Sequence, residues 1–316
     1  MFESYWQDGD FVDYDAQEFA KRMEHQSRSN GLTLPPTDLH ALPFQARLLE
    51  QIALSRSRGY HRNLLVAATG TGKTVMAALD YLSLKDDGKL PSLLFVAHRK
   101  EILIQAQATF QYAIRDATFG ELWVGGNVPT QYQHLFASIQ TLSENTLERI
   151  DSKQFDVVII DEFHHAAAVS YQRLLKHLEP KELLGLTATP ERSDGLSVLD
   201  EFDGRIAAEL RLWDAVGQQR LTPFAYFGVA DNTDLRQVAW RRGAGYDVEG
   251  LTNVLTADDA IAHRVLNQLN DHVENIQTIR ALGFCVSVKH AQFMARVFNN
   301  AGLESLAIWA DTNQTE

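Results

Sequence analysis

Between residues 63 and 189, short apolar runs alternate with stretches of helical period. "NLLVAAT" (63–69) leads into "KTVMAALDYLSLK", and "SLLFVAH" (92–98) into "KEILIQAQATFQYAI". "HLFAS" (134–138) leads into "IQTLSENTLERI", "FDVVIID" (155–161) precedes "SYQRLLKHL", and "LLGLTAT" (183–189) closes the series. Short apolar runs bounded by helices are the signature of buried parallel strands in βαβ units. The prediction is an α/β fold with a parallel sheet. A helix over 44–58, "FQARLLEQIALSRSR", precedes it. The pattern loosens between 190 and 223. It restarts with "FAYFGVA" (224–230), a helix over about 257–276, "ALGFCVSV" (281–288), a helix over 289–301 and "SLAIWA" (305–310). That predicts a second, thinner βα lobe. Residues 1–30 are charged and aromatic, with "AQEFAKRMEHQ" readable as a short amphipathic helix, and "NGLTLPP" (30–36) reads as a turn or linker. The expected organisation is an extension or linker over 1–36, a first lobe over 37–205, and a linker with a partial second lobe over 206–316.

Composition alters this picture little. A chain of 316 residues suggests two domains at about 150 residues each. A hydrophobic fraction of 45% is ordinary for a soluble globular protein. No apolar run approaches the ~18 residues that span a bilayer. "MFESYWQDGDFVDYD" is acidic and aromatic where a secretory leader would be basic and then apolar. Cys285 is the single cysteine and is expected to be a buried small hydrophobe, which makes a reducing cytoplasm the expected compartment. The net charge of −12 argues against a uniformly basic surface that coats nucleic acid, though not against a narrow basic groove.

Three segments carry chemistry. In "AATGTGKT" (67–74) a strand turns through Thr69, Gly70, Thr71 and Gly72 into a helix at Lys73. Glycines let backbone N–H groups converge on a phosphate, and the helix N-terminus adds partial positive charge. Lys73 would reach the β- and γ-phosphates, and the Thr74 hydroxyl would ligate Mg²⁺. In "VVIIDEFHH" (157–165) an apolar strand ends in two adjacent carboxylates. Asp161 suits Mg²⁺ binding and Glu162 suits activation of a water. His164 and His165 are adjacent, which is poor spacing for chelation from one helix face. In "LGLTATPER" (184–192), Thr187 and Thr189 place two hydroxyls at the edge of the sheet where ligands of open α/β folds sit.

Together "AATGTGKT", "DEFH" and "TAT" resemble the superfamily 2 helicases and translocases of the DExH type, whose loop pattern is A-x-x-G-x-G-K-T. Ala67 stands where that pattern has alanine, although the commoner phosphate-loop pattern asks for glycine there. "LPFQ" looks like the adenine-recognising segment, with Gln45 as base reader. "VAHRKEILIQ" (96–105) and "ASIQTL" (137–142) resemble strand-binding motifs, and "GFCVSVKHA" (283–291) resembles motif IV of a second RecA-like lobe. The resemblance covers roughly 40–316 and is nearest the branch containing type III restriction subunits. "DGRIAAELRLWDAV", "LTPFAYFGVADNTDL" and "FESYWQDGDFVDYD" resemble a bacterial subgroup with an upstream phospholipase-D-like nuclease domain.

The resemblance implies a RecA-like parallel sheet as lobe 1 and an incomplete second RecA-like lobe. It implies ATP and Mg²⁺ as cofactors, a nucleic-acid partner with DNA favoured, and a nuclease domain or subunit in the full-length system. Residues 69–74 with Gln45 would bind nucleotide, and Lys73, Asp161 and Glu162 would carry catalysis. His164, Thr187 and Thr189 would couple the nucleotide to the strand. His98, Arg99, Gln140 and Thr141 on lobe 1, with Ser287 and His290 on lobe 2, are the expected nucleic-acid contacts, mainly to phosphates. Two departures stand out. Leu42 occupies a place, three before the glutamine, where this branch often has a basic residue. The chain also stops at Glu316, before motifs V and VI, whose arginines stabilise the transferring phosphoryl group. It therefore reads as a fragment expected to bind Mg·ATP but hydrolyse it poorly. Other readings are a double-strand translocase serving a nuclease, a nucleic-acid-sensing switch, and a non-catalytic nucleotide-binding scaffold.

Overall fold

Apolar runs with no polar alternation can bury both faces only inside a sheet covered on both sides. The computed structural model describes residues 37–164, 169–191, 198–229, 233–241 and 245–309. The expected helix at 1–30, and His165, lie outside these. The chain divides into two compact units, Met1–Pro223 and Phe224–Glu316.

In the first unit, α1 (Pro43–Ser57) leads to β1 (Arg62–Ala67) and α2 (Lys73–Ser83). Then come β2 (Leu93–Ala97), α3 (Lys100–Ile114), β3 (Glu121–Trp123) and β4 (His134–Ser138). They are followed by α4 (Glu144–Leu147), β5 (Val157–Ile160), α5 (Val169–His177) and β6 (Glu182–Thr187). A 3₁₀ turn (Val198–Phe202), β7 (Ala208–Leu210) and α6 (Leu212–Gly217) complete the unit. The seven strands run in the order β3-β4-β2-β5-β6-β1-β7, all parallel.

Alternate residues of each strand feed two cores. Leu65, Ala67, Phe95 and Phe136 join Ile52, Met76, Tyr81 and Phe110 of the helices on one face. Leu64, Val66, Leu94 and Val96 join Phe155, Phe163, Tyr171, Leu174 and Phe202 on the other. Phe136 sits 5.6 Å from Phe95 and 5.4 Å from Phe110, ring centre to ring centre. Gly185 of β6 has a packing reason: a Cβ there would stand 2.5 Å from Phe202 and 3.0 Å from Phe163. Arg56 ties three elements together, gripping Asp80 of α2 with two 2.6 Å bonds and Glu182 of β6 with one of 2.8 Å.

Several expectations need correction. β3 and β7 were not foreseen, and β7 pairs with β1 beyond the expected boundary at 205/206. The first unit runs on to Pro223 because β7 and α6 pack with its sheet. The helix expected after β4 shrinks to four residues. Thr141 bonds back to Ser138 through both its amide and its hydroxyl, a side-chain competition that holds the chain in a turn.

Among its described residues the second unit holds a short hairpin, β8 (Trp240–Arg241) with β9 (Gly245–Tyr246), and three helices, α7 (Val248–Leu255), α8 (Ala260–His272) and α9 (Val288–Asn300). Helix α7 was not foreseen, and α8 is shorter than expected. The strands expected at 224–230, 281–288 and 305–310 do not form among the described residues. Tyr226, Leu282, Phe284 and Ile308 are 84%, 84%, 94% and 68% exposed. A strand exists only through a neighbour that accepts its ladder, and among the described residues no strand pairs with these segments. Cys285 sits in one of them and is half-buried, not buried, with burial raising its thiol pKa.

Candidate active site

Every chemistry-bearing segment of the first unit leaves the same edge of the sheet, the carboxyl ends of its strands. The strand order fixes how they line up. Gln140 and Thr141 follow β4, His98 and Arg99 follow β2, Asp161 and Glu162 follow β5, and Thr189 follows β6, whose last residue is Thr187. The loop 68–72 follows β1. The phosphate-loop strand and the acid-bearing strand are therefore separated by β6 alone.

Ala67 is the last residue of β1 and still pairs with Leu210 of β7. Extended backbone suits alanine, so no glycine is required there. Gly70 and Gly72 adopt left-handed φ values of 88° and 84°, a region an L-residue enters at a cost. A Cβ on Gly72 would also stand 2.6 Å from the Gln45 amide nitrogen. Lys73 opens α2 and donates from Nζ to the Ala67 carbonyl at 3.2 Å. Thr71 is 3% exposed and donates its hydroxyl to the Ala68 carbonyl at 2.6 Å. It supports the loop's shape from inside and offers a ligand only its backbone. Thr69 and Gly70 are exposed, and Thr74 is half-buried.

Gln45 is placed differently from a free base reader. It is 5% exposed, and its Oε1 accepts from Leu42 N at 2.9 Å while its Nε2 donates to Thr71 O at 2.9 Å. The amide thus braces the phosphate loop against the start of α1.

Asp161 is 7% exposed and accepts the Glu162 N–H at 3.0 Å. Burial, reinforced by the neighbouring Glu162 charge, pushes its pKa up to about 6, against the pull of that hydrogen bond and of Lys73. Glu162 has a positive φ of 51°, an unusual conformation for a side chain of this size and one that clusters at functional sites. It aims the carboxylate Oε2 to within 3.2 Å of His164 Nδ1, which is also 3.2 Å from the Thr187 hydroxyl. That hydroxyl in turn accepts from Thr189 N at 3.2 Å. A continuous polar relay runs from the acid pair to the end of β6. Tyr171 is buried in the same core as Ile160 and Phe163, which flank the pair. Burial first, then the Asp161 and Glu162 charges, push its hydroxyl up to about 12.

A cleft of about 630 Å³ lies over this edge, lined by Thr69, Glu162, His164 and Thr189 together with His98 and Arg99. The expected nucleic-acid residues of β2 thus face the same space as the acid and the relay. Gln140 is exposed and donates to the His98 carbonyl at 3.3 Å, and Thr141 is held by Ser138 at 2.7 Å. In the second unit, Ser287 and His290 are not presented as expected. Ser287 caps α9 by accepting from His290 N at 3.2 Å and is bonded by Thr252 at 2.8 Å, and His290 is 8% exposed. Ser287 thereby links α7 to α9, and the His290 ring is buried against the start of α9.

Sequence reasoning missed Arg220 and Leu221, which follow α6. Leu221 Cδ2 stands 3.2 Å from where a Gly70 Cβ would be, and the Arg220 guanidinium lies 5.4 Å from the centre of the Phe44 ring. No local motif could have announced them, since only folding brings residue 220 to residue 44.

The residues fit a magnesium-bound nucleoside triphosphate. The glycine turn is a cradle that a Cβ would fill, the N-terminus of α2 opens onto it, and Thr74 and the buried Asp161 supply the oxygen ligands a hard cation prefers. A parallel sheet with a glycine phosphate loop, a strand-end acid pair and a histidine-threonine relay defines the helicase-like ATPases of superfamily 2. Residues 38–192 match the family model described as "Type III restriction enzyme, res subunit", and that segment carries the chain's likeness to the type III restriction-like branch. It is 25% identical over 284 residues to "Putative mitochondrial ATP-dependent helicase irc3" of Schizosaccharomyces pombe, covering 87% of this chain and 45% of that one. It is 23% identical over 289 residues to "Type I restriction enzyme EcoAI endonuclease subunit" of Escherichia coli, covering 83% and 34%. Among solved structures it is similar to "ATP-dependent Type ISP restriction-modification enzyme LlaBIII bound to DNA", at 16% identity and a TM-score of 0.46, covering 61% and 16%. The chain spans about half or less of the length of the curated relatives it matches. No helix among the described residues is long and apolar enough to cross a membrane.

Proposed function

We propose that this chain is the motor portion of an ATP-dependent DNA translocase or helicase, with its nucleotide site on the first unit. The observation that carries the reading is the alignment along one sheet edge. Along that edge stand the phosphate loop after β1, the threonines of the relay at the end of β6, the acid pair after β5, and the expected strand-facing residues after β2 and β4.

The backbone N–H groups of 70–74 bind the phosphates and Lys73 leaves the Ala67 carbonyl to neutralise them. Thr74 and Asp161 would hold Mg²⁺, which when bound would stabilise charge on the phosphates. Glu162 orients a water and takes its proton. His164, bonded to both Glu162 and Thr187, reports the state of that carboxylate to Thr189 and to the cleft bearing His98 and Arg99. No arginine is assigned to the transferring phosphoryl group in this reading, and arginines in such sites raise rates by roughly 10³–10⁵, so slow turnover by the chain alone is the expected outcome. DNA as the track is supported by the restriction-enzyme relative.

The test is nucleotide binding and phosphate release, with and without double-stranded DNA. Lys73→Ala is expected to weaken Mg·ATP binding by roughly 10²-fold, the loss of a charge-assisted contact of about 3 kcal/mol. Glu162→Gln is expected to bind normally and release phosphate roughly 10²- to 10⁴-fold more slowly. Strong DNA-stimulated turnover by the wild-type chain alone would contradict the slow-turnover claim, and normal Mg·ATP binding by Lys73→Ala would contradict the site.

A further inference from the structure

We infer that Arg220 is a specificity-determining residue of the nucleotide site, placing a flat cation against the purine base. The inference rests on the nucleotide reading above and adds to it a residue outside every recognised motif; the family match ends at residue 192.

Gln45, the expected base reader, already uses its carbonyl on Leu42 and an amide hydrogen on Thr71. Leu42, which is 56% exposed, brings no charge to that end of α1. The segment after β7 supplies one. The Leu210 carbonyl accepts from Ala68 N at 3.0 Å, which ties the segment to the root of the phosphate loop. Arg220 N and Leu221 N both return to the Ala215 carbonyl, at 2.8 and 3.3 Å, so the chain after α6 is anchored. Leu221 then lies against Gly70, and Arg220 over Phe44, the neighbour of Gln45. Arg220 is exposed and makes no ion pair among the described residues. With its guanidinium carbon 5.4 Å over the centre of the buried Phe44 ring, the exposed side chain can take a flat partner, on which arginine stacks. A base leaving the phosphate loop on the Gln45 side would meet that side chain.

The experiment is calorimetric titration of the whole chain with Mg·ATP and with magnesium tripolyphosphate, which carries the phosphates without the base. Wild type is compared with Arg220→Ala, Arg220→Lys, Lys73→Ala and Arg47→Ala, Arg47 being another exposed arginine of α1. Arg220→Ala is expected to weaken Mg·ATP about 2- to 30-fold and leave tripolyphosphate unchanged. Arg220→Lys should recover only part of the loss, because an ammonium does not stack as a plane, and Arg47→Ala should match wild type. Unchanged Mg·ATP affinity in Arg220→Ala overturns the inference, as does an equal loss for tripolyphosphate. Wild type and Lys73→Ala that both fail to bind either probe would overturn the nucleotide reading itself, and this inference with it.

Discussion

The two units were built from similar sequence patterns and came out differently. Both alternate apolar runs with amphipathic helices. In the first unit the runs found neighbours and became a seven-stranded sheet between two cores. In the second, the helices formed, but the buried apolar cluster amounts to Ala262, Leu266, Phe293 and Val297, and the apolar runs lie exposed. Helices close their hydrogen bonds locally and carry their own start signals. Asp247 caps α7 by accepting from Gly250 N at 2.7 Å, and Ser287 caps α9. A parallel strand has no such local completion. The same apolar run is a core strand or an exposed segment according to what lies beside it.

The sharpest break of this comparison is a core truncation in the first unit. Phe136 is fully buried, so Phe136→Ala is expected to destabilise the first unit by about 3–5 kcal/mol in urea unfolding. Next comes a test of the site within the same unit. Asp161 has a raised folded pKa, so its ionisation opposes folding above about pH 6 and does not below the ordinary carboxylate range. Asp161→Asn should therefore stabilise the ligand-free first unit by about 1–3 kcal/mol at pH 8 and by almost nothing at pH 4. A stability gain that is equal at both pH values would contradict this. In the second unit, Ser287→Ala removes a cap and the acceptor of Thr252, and should lower stability by about 1 kcal/mol, seen as faster amide exchange at the start of α9. The smallest effect is expected at Phe284. It is 94% exposed, and Phe284→Ser should change unfolding by no more than about 0.5 kcal/mol. A loss near that of Phe136→Ala would show that the segment is packed in solution.

Much of the first unit was legible because its signals are local and strong. Unbroken apolar runs marked five of its strands, and glycine turn, acid pair and threonine pair marked their ends. β3 and β7 escaped because "ELW" and "AEL" are three residues long and mix a carboxylate with apolar neighbours; only pairing to β4 and β1 makes them strands. The expected site residues of the first unit gather on one sheet edge, but their posture was not legible in the sequence. Nothing in "LPFQ" says that Gln45 would be buried as a brace, and nothing in "DEFH" says that Glu162 would take a left-handed backbone. For Ser287 and His290, expected as surface contacts from a motif-like segment, the structure shows the serine hydroxyl capping α9 at the His290 amide and the imidazole buried.

The bracing of the phosphate loop has a kinetic consequence. Without a ligand, Gln45 holds Thr71, Thr71 holds Ala68, and Lys73 rests on Ala67. On the proposed reading an arriving phosphate would meet a receptor whose shape is already set, with little conformational freedom lost at encounter. Association is then governed by diffusion and charge, and substitutions around the loop register in how long the nucleotide stays, not in how fast it arrives.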